Sequence, residues 1–122
     1  MIHHASLEIR RDGADAEVAF WALLGYHEIR PLTPALAESS RWVQDATGAS
    51  RHQIHLVYED EPTILRRAHI AIVRGAYAET LKDLRGAGFE VLEREPYWNS
   101  PRAFVHTPAG HRIEVMQFAP RG

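Results

Sequence analysis

Two stretches of the chain open alike. "HHASLEI" (residues 3–9) and "RAHIAIV" (residues 67–73) each set a histidine at the head of an alternating run. Alternation at a period of two marks a half-buried strand, because successive side chains leave opposite faces of a sheet. The segments downstream of the two phrases are alike as well. After the first, Gly13 breaks the run and a helical spacing begins, with Ala16, Phe20, Leu23 and Leu24 on one stripe. Asp15 suits its N-cap and Gly25 its exit. After the second, "GAYAETLKDLRGAG" puts Tyr77, Leu81 and Leu84 on a helical stripe and closes on glycines. Three strands complete each half: "YHEIRPL", "RWVQD" and "RHQIHLVYE" in the first, "FEVLERE", "RAFVHT" and "HRIEVMQF" in the second. "TPALAESS" reads as a loop or flap, and "PYWNSP" as a loop. Strand-helix-strand-strand-strand, twice over, predicts two similar modules related by a pseudo-twofold axis.

The repeat sets His4 over His69 and His55 over Glu114, "QIHL" lying over "RIEV". On each strand these residues oppose the apolar set. His4 opposes Ala5, Leu7 and Ile9, and His55 opposes Ile54 and Leu56. His69 opposes Ile70 and Ile72, and Glu114 opposes Ile113 and Val115. If the apolar sets pack on helices and the sheet curls, the four converge inside a cup. Composition narrows what they could do there. The chain has no cysteine, which removes disulfides, thiolate nucleophiles and thiolate metal sites. It has eight histidines in 122 residues, so any metal would sit on imidazole and carboxylate. Three imidazoles and one carboxylate suit zinc, nickel, iron, manganese or cobalt, whereas calcium and magnesium prefer oxygen alone. Four protein ligands around an octahedral ion leave two positions open to substrate.

Other classes find no support. The net charge of −2 and the absence of a Lys/Arg run argue against nucleic acid and an anionic membrane surface as partners. No apolar stretch approaches the ~20 residues that span a bilayer. No basic segment followed by an apolar run stands at the N-terminus, so a cytoplasmic location is expected. His3, His27, His52, His106 and His111 read as structural or solvated, with His111 capping or solvating its turn.

The order βαβββ twice, with "HHASLEI", "AFWALLGY", "RAHIAIV" and "TPAGHRIEVMQ" in these places, resembles the vicinal oxygen chelate superfamily. That group includes glyoxalase I, extradiol dioxygenases, fosfomycin-resistance enzymes and bleomycin-resistance proteins. The resemblance covers essentially the whole chain, and "PAGHRIEV" is its most telling piece. It implies an α+β fold in which two βαβββ modules form a curled eight-stranded mixed sheet around a cup, helices outside. Residues 1–122 would be one such domain, with modules at about 1–61 and 66–120. It also implies a metal on His4, His69 and Glu114. The glyoxalase-like members' fourth ligand is usually Glu or Gln, and His55 stands there instead. His55 is thus either a ligand or an acid or base beside the metal.

Glu114 and His55 are the candidate catalytic residues, and Arg102, Trp98 and Met116 the candidate substrate contacts. Arg102 either holds a substrate carboxylate or solvates a strand end. The resemblance points first to a metal-dependent lyase or isomerase acting on a small substrate with vicinal oxygens. An iron-dependent ring-cleaving dioxygenase and a non-catalytic drug-binding protein are the alternatives. Small members usually pair, so a homodimer is expected.

Overall fold

The structure is a computed structural model and describes residues 1–97 and 99–120. The chain forms two compact units, Met1–Ile64 and Leu65–Gly122. In the first, β1 (His4–Ile9), α1 (Ala14–Leu23), β2 (Tyr26–Ile29), α2 (Pro34–Ser39), β3 (Ser40–Asp45) and β4 (Gln53–Tyr58) succeed one another. In the second come β5 (His69–Val73), α3 (Tyr77–Gly86), β6 (Leu92–Tyr97), β7 (Ser100–His106) and β8 (Arg112–Met116). The class is α+β, and each unit is a βαβββ module. Its sheet is four-stranded and mixed, ordered β1-β4-β3-β2 in the first and β5-β8-β7-β6 in the second. In both, the first strand lies parallel to the last and the remaining pairs are antiparallel.

Strand faces obey the alternation. Val43, Ile54 and Leu56 are buried in the first unit, and Ile72, Ala103, Val105, Ile113 and Val115 in the second. Each large apolar side chain so buried contributes about 1.5–3 kcal/mol relative to exposure. Helix α1 packs on β2 and β3. Its stripe sits one position away from the expected one: Ala14, Glu17, Phe20 and Trp21 are buried and Ala16 is exposed. Asp15 is not the N-cap. The helix begins at Ala14, and Asp15 in its first turn accepts a bond from Arg41 Nη1 at 3.0 Å. Arg41 also pairs with Glu28, so one guanidinium ties α1 to the β2–β3 ladder. Gly25 leaves α1 at φ 83° and Gly88 comes after α3 at φ 92°, conformations that disfavour a Cβ. Helix α3 buries the expected Tyr77, Leu81 and Leu84, with Thr80 beside them. Among the described residues no helix is long and apolar enough to cross a membrane.

Two further expectations change. "TPALAESS" is not a loop. Thr33 Oγ1 accepts from Leu36 N at 3.3 Å, Pro34 supplies a pre-set φ, and a six-residue helix forms. The strand expected over "FEVLERE" lies further on, at Leu92–Tyr97, with the ladder shifting between Arg94 and Tyr97. Pro96 lies in that interval. A proline cannot donate to a ladder and is tolerated on an edge strand, as β6 is.

Candidate functional site

The ladder registers align the two units residue by residue. His4 is opposite Gln53, and His55 lies two residues beyond Gln53 on the same strand face. His69 is opposite Arg112, and Glu114 lies two residues beyond Arg112. On the next strand Trp42 is opposite His55, and Phe104 is opposite Glu114. The positions predicted jointly by the repeat are therefore equivalent in the sheets, with an aromatic ring flanking the second of each pair. The register also fixes how β3 and β7 correspond. Trp42 matches Phe104, so Arg41 matches Ala103, and Arg102 matches Ser40. Arg41 accordingly lies on the face shared with Leu56, while Arg102 shares the face of Glu114 and Met116.

In the first unit the pair is His4 and His55, ring centroids 6.1 Å apart. Trp42 stacks on His55 at 4.1 Å and 14°, and meets His4 edge-on at 5.1 Å. His3 Nδ1 lies 2.9 Å from His4 Nδ1. Ser6, directly opposite His55, brings Oγ to 3.2 Å from His55 Nδ1. The other ring nitrogen, His55 Nε2, is buried and has no hydrogen-bond partner among the described residues. When Nδ1–H donates to Ser6, Nε2 keeps its lone pair for a cation or a proton. Burial, and then the neighbouring His4, hold the His55 imidazole below its ordinary pKa, which favours that neutral form.

In the second unit the pair is in direct contact. His69 Nε2 lies 3.0 Å from Glu114 Oε1. His69 Nδ1 lies 2.9 Å from the Arg67 carbonyl, an acceptor only, so Nδ1 must carry its hydrogen. A neutral ring would then present an Nε2 lone pair to a carboxylate oxygen. The contact calls for a positive centre between them: a proton or a metal ion. Two ligands about 2.1 Å from one ion at right angles stand about 3 Å apart, which this pair already matches. Glu114 Oε2 meets Arg102 Nη1 at 3.3 Å, and Phe104 stands edge-on to His69 at 5.2 Å.

Arg102 neither solvates a strand end nor extends outward. It is buried, donates from Nε to the Glu95 carbonyl at 2.9 Å, and lies 3.9 Å over the Tyr97 ring. Met116 is half-buried opposite Arg102. Trp98 lies outside the described residues. His111 is buried, its N–H donating to Thr107 Oγ1 at 3.2 Å, rather than solvating its turn. Sequence reasoning missed Ser6 and the Arg67 carbonyl, the two groups that orient the imidazoles. The strand alternation carried the first signal, since Ser6 stands one strand period after His4. A carbonyl partner has no sequence signal.

The first unit also holds a cavity of about 310 Å³ on the face of Trp42, bordered by α2. In neither unit are three His, Asp or Glu side chains among the described residues placed to hold a metal ion. Each supplies one pair. An orphaned imidazole nitrogen in one and an imidazole–carboxylate contact in the other are the donor chemistry a divalent ion of intermediate softness takes.

No protein-family profile and no curated protein matches this sequence. Solved structures do. The chain is similar to a protein assigned to the glyoxalase family from Bacillus anthracis, at TM-score 0.82 and 25% identity over 95% of this chain and 93% of that one. It is similar to an antibiotic binding protein from a Streptomyces species, at TM-score 0.72 and 15% identity over 98% and 96%. It is also similar to a lactoylglutathione lyase from Agrobacterium tumefaciens, at TM-score 0.69 and 16% identity over 95% and 92%.

Proposed function

We propose that this chain, built on the vicinal oxygen chelate fold, is a metal-dependent lyase or isomerase of glyoxalase type acting on a small substrate with two neighbouring oxygens. The two modules act together as one domain of residues 1–122. His4, His69 and Glu114 would hold one divalent ion, zinc, nickel, iron, manganese or cobalt, with His55 either its fourth ligand or, left off the ion, the base beside it. When bound, the ion supplies Lewis-acid stabilisation of negative charge developing on substrate oxygens. The single observation that carries this reading is the His69–Glu114 contact, oriented by the Arg67 carbonyl so that only a positive centre satisfies it.

The chain's own residues divide the remaining work. Ser6 fixes the His55 ring, and the stacked Trp42 excludes water from one face of it. Where it stays off the ion, His55 Nε2, neutral and unpartnered, accepts the proton that moves during isomerisation or elimination. Arg102 holds Oε2 of Glu114, so Oε1 is the oxygen that would remain for an ion. Exposed sheet edges are covered by an identical partner in a cytoplasmic homodimer.

A second reading has its own support. The Arg102 guanidinium already compensates the Glu114 carboxylate, as a binding protein without metal would need. The antibiotic binding relative marks that use of the fold. Elemental analysis of protein purified without a tag and without added metal separates the two. The first reading expects about one equivalent of ion per chain, lost in both His69→Ala and Glu114→Ala. A full equivalent retained by both variants refutes the assignment. Iron as that ion, with oxygen consumed on a catechol, would make it a ring-cleaving dioxygenase.

A further inference from the structure

The cavity in the first unit has a composition that selects its occupant. Five lining residues are apolar, Ile29, Pro31, Leu32, Leu36 and Trp42, and none is Asp or Glu. Its one permanent charge is Arg30, which has no hydrogen bond or ion pair among the described residues. The acid nearest in sequence, Glu28, is held by Arg41. Leu32 is 97% exposed at the rim, an apolar group with nothing of its own to cover it. The volume of about 310 Å³ is at the small end for ligand sites. Trp42 joins the cavity to the candidate site, since the same indole that borders it stacks on His55.

We infer that this cavity binds a small amphipathic monoanion, an aromatic or compact apolar body carrying one carboxylate, with the body between Leu36 and Trp42 and the carboxylate on Arg30. An apolar body alone would be held by area and shape. An arginine unpaired in the free protein adds preference for an anion, because a guanidinium meets a carboxylate with two parallel hydrogen bonds. A cation is disfavoured by the same charge. The inference names the substrate class for the proposed activity and rests on that reading only there. The binding site itself lies within the first unit and needs no metal.

The test is calorimetric titration with 2-naphthoate and its neutral isostere 2-naphthamide, in chelator so that no ion can recruit the carboxylate. The wild type should bind naphthoate about tenfold or more tightly than the amide. Arg30→Gln should remove that preference while the amide still binds, and Arg30→Lys should retain part of it. Leu36→Trp, which fills the cavity from the short helix, should weaken both ligands about tenfold or more. His69→Ala should change neither, so loss of the metal reading leaves this result standing and the reverse is equally visible. Equal affinities in the wild type, no saturation by either ligand, or an undiminished preference in Arg30→Gln would overturn the inference. Far-UV circular dichroism of each variant confirms that it is folded.

Discussion

Replacing Arg102 by methionine tests whether Glu114 is held as a buried charge or merely lies near one. Methionine keeps most of the unbranched stem and removes the guanidinium that lies over the Tyr97 ring. Arg102 and Glu114 are each 8% exposed, so solvent screens the pair poorly. At the 3.3 Å separation, and at an effective dielectric of about 20, their Coulomb attraction is about 5 kcal/mol. Losing one partner of such a pair typically costs about 3–5 kcal/mol, because the other charge stays buried and uncompensated. Glu114 keeps its contact with His69, which places the cost at the low end, about 3 kcal/mol. The Glu95 carbonyl also loses its bond, but β6 is exposed and water takes the vacancy. Urea denaturation in chelator, with Glu114→Gln and the double variant completing the cycle, isolates the pairwise term. The expected coupling is about 2 kcal/mol or more, with the denaturant slope unchanged. A coupling below about 0.5 kcal/mol would refute the claim that Arg102 positions Glu114.

The first unit yields two more expected outcomes. The His55 imidazole is held below its unfolded value of 6.5, so below that pH the unfolded chain binds a proton that the folded chain refuses. Stability is complete above 6.5 and falls as pH drops towards the depressed folded value. His55→Gln should flatten that slope in urea midpoints measured on chelated protein, and an unchanged slope would show that His55 does not carry it. Thr33→Ala should cost about 0.5–1 kcal/mol by removing the acceptor for Leu36 N, whereas Thr33→Ser should restore it. Equal midpoints for all three proteins would show the cap contributes nothing.

The strand order was legible because hydrophobic alternation is local and the repeat supplied an independent check. His4 and His69 stand at the heads of equivalent strands, and His55 and Glu114 at equivalent register positions, for the same reason. What was not legible depended on packing or on competing local signals. The composition of "TPALAESS" resembles a loop, yet Thr33 directly before Pro34 is a helix-start signal that outweighs it. Helix α1 buries Glu17 where the periodicity favoured Ala16, since Trp21 and Phe20 set the rotation of the helix. β6 carries no alternation at all: every residue from Leu92 to Tyr97 is exposed, and an edge strand with a proline leaves the period-two signal nothing to act on. Arg102 misled for a simpler reason. A guanidinium in a strand beside a loop usually reaches solvent, and only the pairing of β7 with β8 turns it towards Glu114.

The same register shows where the two halves have diverged. At equivalent positions the first unit has His55, Ser40 and Trp42, and the second has Glu114, Arg102 and Phe104. Ser40 serves its own neighbourhood, donating to the Leu36 carbonyl at 2.7 Å and accepting from Trp42 Nε1 at 3.1 Å. Arg102 in its place reaches the carboxylate. One half thus offers a neutral nitrogen against a broad aromatic ring and an apolar cavity, and the other a fixed negative charge with its compensating guanidinium. Neutral imidazole loses little on desolvation, so it tolerates the apolar surroundings a ligand body needs. A carboxylate does not, and its buried place exists because Arg102 and His69 stand on either side of it. The two roles demand opposite surroundings, and a duplicated module can meet both only by letting its copies differ at these three positions.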